Sequence, residues 1–212
     1  ADDEWEPDHL ETLLRLNSNH PEAGAYATSY SIVESEGLVQ KAQIKGLLPE
    51  PWEGIMPDYF RSASLGEPPI CSSSVAIPRV IFERVGFFKV GESFGEDQDL
   101  WGRIALDYPI AFSWKGQALY RRDAGSRLCL GHRINKEMPF LQTLRDRFPG
   151  TKAPGWIGSY EARTRYRYID LLIESGQKGK AFSNLISEQL LSADWKRFFK
   201  TFLKILLPLK MI

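Results

Sequence analysis

Gly95-Glu96-Asp97-Gln98-Asp99-Leu100-Trp101-Gly102-Arg103 is the stretch on which the reading of this chain turns. Acids crowd in directly behind a glycine, and Leu100, Ile104 and Tyr108 then recur every four residues. A helix over 96–108 is predicted. Acids in a first helical turn face the positive end of the helix dipole, and that alone accounts for them. The alternative is chemical: a carboxylate held by a rigid helix start and aimed into a cleft has the fixed geometry that proton transfer needs.

A second acidic cluster, Ala1-Asp2-Asp3-Glu4-Trp5, opens the chain. Asp2 and Asp3 either favour the start of the following helix or bind a hard divalent cation, which prefers carboxylate oxygens and keeps water and phosphate as its other ligands. Pro7 suits a first helical turn, and a helix to Asn17 is expected with Leu10, Leu13, Leu14 and Leu16 on its apolar face. Ala25 to Ile32 alternates as a strand, with Leu38 to Ile44 as a hairpin arm. Met56 to Ser64 reads as a short helix and Ser72 to Ile77 as a buried strand. Pro78 to Val85 reads as a helix stopped by Gly86. Ile110–Trp114 and Ala118–Arg121 read as two strands joined by Lys115-Gly116.

In order and spacing these segments resemble a family 2 glycosyltransferase of the GT-A fold. The matching residues are Asp2-Asp3-Glu4-Trp5, similar to the tail of that family's Asp-x-Asp-Asp segment; Ser73-Ser74-Val75-Ala76-Ile77-Pro78; Phe82-Glu83-Arg84-Val85-Gly86-Phe87-Phe88; and, most specifically, Glu96-Asp97-Gln98-Asp99-Leu100, similar to its Glu-Asp-x-Asp-Leu motif. The resemblance covers roughly the first two-thirds of the chain. It implies an α/β fold, a partial GT-A domain with a mixed sheet, followed by a C-terminal helical segment.

It further implies transfer of a sugar from a nucleotide-diphosphate donor to a saccharide or glycolipid acceptor, with inversion and with Mn2+ or Mg2+ as cofactor. Asp97 would be the catalytic base. Asp2 would bind the metal, and His132 would complete the metal shell. Asp3 would support the metal or contact the nucleotide sugar. Glu96 and Asp99 would orient the acceptor or the motif, with Trp101 and Arg103 along the acceptor side. That family's first half precedes this point, so 1–150 is expected to be the C-terminal half of the catalytic domain and 151–212 a helical tail. A non-catalytic half-domain that binds or scaffolds is the alternative reading, and a hydrolase using the same two carboxylate clusters is a third.

Bulk properties narrow the partners. With 27 Lys and Arg against 27 Asp and Glu, no net field draws the chain to nucleic acid. Two cysteines, Cys71 and Cys129, lack the spacing of a zinc site or a disulfide framework, so a reducing cytoplasm is expected. Composition shifts near Phe148-Pro149-Gly150, and helices are predicted over Tyr160–Glu174, Lys178–Leu191 and Ala193–Leu207, with Gly176 as a hairpin turn. In the last of these Lys196, Lys200 and Lys204 share one face, and Trp195, Phe198, Phe199, Phe202 and Leu206 another. A basic amphipathic helix of this kind lies on an anionic membrane, which would place the protein peripherally at the inner face; alternatively its aromatic face packs on the preceding helices.

Overall fold

A computed structural model describes residues 2–34, 37–92, 94–122, 136–186, 190 and 194–207. It forms two compact units, Ala1–Leu130 and Gly131–Ile212, so the division falls ahead of the composition shift near Phe148. Among the described residues the first unit is α/β, built on a mixed sheet of six strands, and the second is helical.

Two long strands form the centre of the first unit. Strand β2 (Ala25–Val33) is buried along its whole length, and β6 (Ile110–Arg121) runs parallel to it from Ala25↔Ile110 to Val33↔Arg121. Shorter strands flank them, all antiparallel to their neighbours. β4 (Glu53–Ile55) lies on the first half of β6, and β1 (Glu4–Trp5) lies on its second half. β3 (Val39–Lys41) and β5 (Val75–Ala76) lie on opposite ends of β2. The expected hairpin arm after β2 is therefore present and brief.

Lys115-Gly116 does not separate two strands. β6 is continuous, and its register against β2 shifts between Thr28 and Tyr30. Gly116 sits at this irregularity with φ 67°, a left-handed conformation, and a Cβ there would come within 3.0 Å of Thr12 and 3.1 Å of His9. Glycine allows both the backbone turn and the close approach of the helix. The Ser29 hydroxyl donates to the Trp114 carbonyl at 2.9 Å and stitches the irregularity to β2. A tight glycine turn and a bulge carry the same local signal, which is why two strands were predicted.

Helix α1 (His9–Asn19) connects β1 to β2 and packs on β6. It buries His9, Thr12, Leu13 and Leu16, while Leu10 and Leu14 are 55% and 67% exposed. The four leucines do not share a face: at about 100° per residue, His9, Thr12, Leu13 and Leu16 form the inward stripe. Leu13 and Leu16 meet Tyr26 and Ala111, and burying each leucine contributes about 1.5–3 kcal/mol.

Helices α2 (Tyr59–Leu65), α3 (Arg79–Val85) and α4 (Glu96–Asp107) complete the unit. Asp58 caps α2 by accepting from the Arg61 amide at 2.9 Å, and Gly86 ends α3 with φ 86°. The buried strand expected over Ser72–Ile77 is a correction. Ser72–Ser74 form a 3-10 turn, and only the half-buried Val75–Ala76 is extended. Serines hydrogen-bond nearby backbone: the Ser74 hydroxyl accepts from the Cys71 amide at 3.1 Å, and this favours the turn over a ladder.

The second unit holds α5 (Pro139–Arg147), α6 (Gly155–Glu174), α7 (Lys178–Leu185) and α8 (Trp195–Leu206). Gly176, at φ 75°, turns α6 into α7 as its place in the sequence predicts. Ile169, Leu172, Ala181, Leu185 and Ile205 are buried there. No helix among the described residues is long and apolar enough to cross a membrane.

Candidate functional site

The two carboxylate clusters stand on different elements, joined by the segment 71–88. Asp3, at the entry to β1, is held from two sides. One oxygen accepts from the Arg121 amide of β6 at 2.9 Å, and the other accepts from the Ser73 hydroxyl. Trp5 adds a second tie to this turn, donating its indole N–H to the Ser73 carbonyl at 2.7 Å. Its ring also stacks on His9 at 4.8 Å, and Glu4 pairs with the Arg121 guanidinium at 3.0 Å. Asp3 is thus oriented by groups fixed in the sheet and the 3-10 turn.

Asp2 is exposed, and its own backbone N–H holds its carboxyl below the usual carboxylate range, with the Arg121 charge acting in the same direction. It is an ionised oxygen donor open to solvent, beside a carboxylate of fixed orientation. That donor chemistry fits Mg2+ or Mn2+, which draw remaining ligands from water and phosphate. Among the described residues no three His, Cys, Asp or Glu side chains are grouped as a complete protein shell. His132 lies outside the described residues.

At the other cluster, Gly95 enters α4 in the left-handed conformation, φ 76°. Neighbouring acids then meet opposite fates. Asp99 is fully buried and accepts from Lys89 Nζ at 3.1 Å and Arg103 Nε at 2.9 Å. Arg103 donates three further N–H groups to the carbonyls of Val85, Gly86 and Phe87, the last two at 3.0 and 2.9 Å. The Asp99–Arg103 pair therefore clamps the end of α3 onto α4. Trp101 is 2% exposed and meets Phe88 edge-to-face at 6.1 Å, so its ring belongs to the core. Its indole N–H finds no acceptor among the described residues.

Asp97 has the other environment. Burial pushes its carboxyl above the ordinary value, the Gln98 amide at 2.7 Å offsets part of this, and the adjacent Glu96 charge raises it again. Glu96 and Asp97 are both half-buried. The result is a carboxyl group that titrates higher than a surface aspartate, fixed in the first turn of a helix.

Sequence reasoning reached both carboxylate clusters and the Ser73-Ser74 segment. It missed Lys89 and the imidazole of His9. His9 is 1% exposed, and its Nδ1–H donates to the Gly116 carbonyl at 2.5 Å. It also missed a clasp in which Arg15 grips Glu53 through Nε at 3.2 Å and Nη2 at 2.9 Å, while the Ser113 hydroxyl donates to Glu53 at 3.0 Å. The Arg15 contact holds the Glu53 carboxyl below its usual range. No local pattern announces these pairs, because their partners are far apart in the chain. Comparison with protein-family models, with curated proteins and with solved structures finds no match for this chain.

Proposed function

We infer that the first unit is part of a GT-A-type catalytic domain that transfers a sugar from a nucleotide-diphosphate donor to a hydroxyl acceptor with inversion. One observation carries the reading: within one helical turn Asp99 is locked by Lys89 and Arg103, while Asp97 stays half-buried with its carboxyl pushed up. A half-buried carboxyl raised above its ordinary value, beside one held by two cations, is an environment suited to a general base. The resemblance of Glu96-Asp97-Gln98-Asp99-Leu100 to the Glu-Asp-x-Asp-Leu motif supports the same assignment.

In this mechanism Asp97 accepts the proton of the acceptor hydroxyl as that oxygen bonds to the anomeric carbon. The carbon–oxygen bond to the diphosphate breaks, and its electron pair leaves with the diphosphate. Attack from the opposite face inverts the centre. Burial raises the carboxyl of this base, Asp97, above its ordinary value, and the charge of the adjacent Glu96 adds to the rise. Asp99 and Arg103 hold the helix start in place by gripping the α3 end. Asp2 would hold the Mn2+ or Mg2+ ion with Asp3 beside it, and such an ion neutralises charge on the departing diphosphate.

The test is sugar transfer in the natural full-length protein, over a set of nucleotide-diphosphate sugars with Mn2+ or Mg2+. Asp97→Asn is expected to lower turnover by about 10²–10⁴-fold while donor affinity stays near that of the unaltered protein. Near-normal transfer by Asp97→Asn would overturn the assignment. Release of free sugar without transfer would favour a hydrolase.

A further inference from the structure

Helix α8 divides its apolar residues between two directions. Thr201 and Ile205 are buried, and Phe198 and Phe202 are half-buried beside them. Trp195, Phe199, Leu203 and Leu206 point away, 62%, 54%, 54% and 61% exposed. At about 100° per residue these four fall within one narrow stripe along the helix. Phe202 meets Phe182 of α7 at 6.2 Å, and Phe182 and Ile186 are themselves exposed, so apolar surface continues from the stripe onto the neighbouring helix.

Within the two helices the charged side chains carry one sign. Neither Lys178–Leu185 nor Trp195–Leu206 contains an Asp or Glu, while together they carry Lys178, Lys180, Lys196, Arg197, Lys200 and Lys204. Lys204 is taken by Asp170 at 2.9 Å, and the Arg197 guanidinium lies over the Tyr166 ring at 4.4 Å. Lys196, whose Nζ lies 5.9 Å from the centre of the Trp195 ring, and Lys200 are exposed beside the stripe. The helix is also fixed at its start, where Asp194 accepts from the Arg197 amide at 3.0 Å.

We propose that the outer face of α8, with the adjoining rim of α7, docks the protein on an anionic membrane surface. A preformed helix with large apolar side chains on one side and lysines at the edge has the geometry of a helix lying in the bilayer interface, rings and aliphatic chains at acyl depth and ammonium groups at the phosphates. A second copy fits less well, because a two-fold contact would set this all-basic helix pair against itself. The proposal does not depend on the transferase reading, since docking requires neither donor nor acceptor.

Flotation of the whole chain with phosphatidylcholine vesicles, with and without phosphatidylglycerol, tests it. The chain is expected to float with the anionic vesicles and to be released by salt. Lys196→Gln with Lys200→Gln should lower partitioning by about 30-fold, from two lysines near the surface. Phe199→Ser with Leu203→Ser should lower it at least as far. Both pairs occupy exposed positions, and unchanged urea midpoints would verify folding. A blue shift of fluorescence on vesicle addition, lost in Trp195→Phe, is a second readout. Absence of flotation with anionic vesicles, or flotation unchanged in the Phe199/Leu203 variant, overturns the proposal. So does a dimer in solution that Phe199→Ser dissociates.

Discussion

Replacing Asp99 with alanine removes a buried anion that Lys89 and Arg103 share. The Asp99 side chain is 0% exposed, that of Arg103 is 14% and that of Lys89 is 35%. Breaking a buried pair by deleting one partner costs about 3–5 kcal/mol, because a charge is left without compensation. Two features place this case near the lower end. Lys89 can swing into water, so its share is that of a partly exposed pair, about 1 kcal/mol or less. Arg103 keeps the Val85, Gly86 and Phe87 carbonyls as acceptors. Asp99→Ala should therefore cost about 3 kcal/mol, and Lys89→Met about 1 kcal/mol or less.

Equilibrium urea unfolding followed by tryptophan fluorescence measures both, with an unchanged denaturant slope showing that the variants unfold in the same manner. The order matters as much as the size. If Asp99→Ala cost no more than Lys89→Met, the clamp between α3 and α4 would not be the role of Asp99. An exposed acid that binds a ligand would lose affinity on substitution and little stability.

The raised carboxyl of Asp97 gives a second expectation. A carboxyl whose pKa is higher in the folded protein than its ordinary 3.8 favours folding when protonated, and that contribution is lost as pH climbs from 3.8 through the raised value. Asp97→Asn should therefore gain stability relative to the unaltered protein as pH rises across that window, read as urea midpoints at acid and neutral pH; a constant difference would refute the burial argument. Gly116→Ala should destabilise by about 1–3 kcal/mol through strain at positive φ, with further cost from contact with Thr12 and His9. An unchanged urea midpoint for this variant would mean that the irregularity in β6 tolerates a side chain.

Periodicity and punctuation made the sequence of elements legible. The four-residue recurrence of Leu100, Ile104 and Tyr108 marked α4, Gly86 marked the end of α3, Gly176 marked the α6–α7 turn, and the run from Ala25 marked β2. These are local properties, settled by backbone conformation and neighbouring side chains. The same local signals misled wherever a distant partner intervened. Gly116 read as a turn because the Thr12 and His9 contacts that require a glycine come from a helix some hundred residues earlier. Leu10 and Leu14 read as core because leucine is apolar, although their angular positions on α1 turn them from β6.

The site divides in the same way. The sequence by itself determined that carboxylates gather at two places and that a helix opens on Glu96-Asp97. Only the tertiary structure decided which acids are held by partners and which carboxyl burial pushes up. Asp99 is captured by Lys89, ten positions before it, and by Arg103, Asp3 by Ser73 and by the Arg121 amide, and Asp97 is half-buried beside Glu96. It also decided which half of the α8 apolar face is covered, since burial is set by what lies opposite each side chain. The charge state of a carboxyl depends on the water, dipoles and ions within a few ångströms of it, and those neighbours come from elements that only folding brings together.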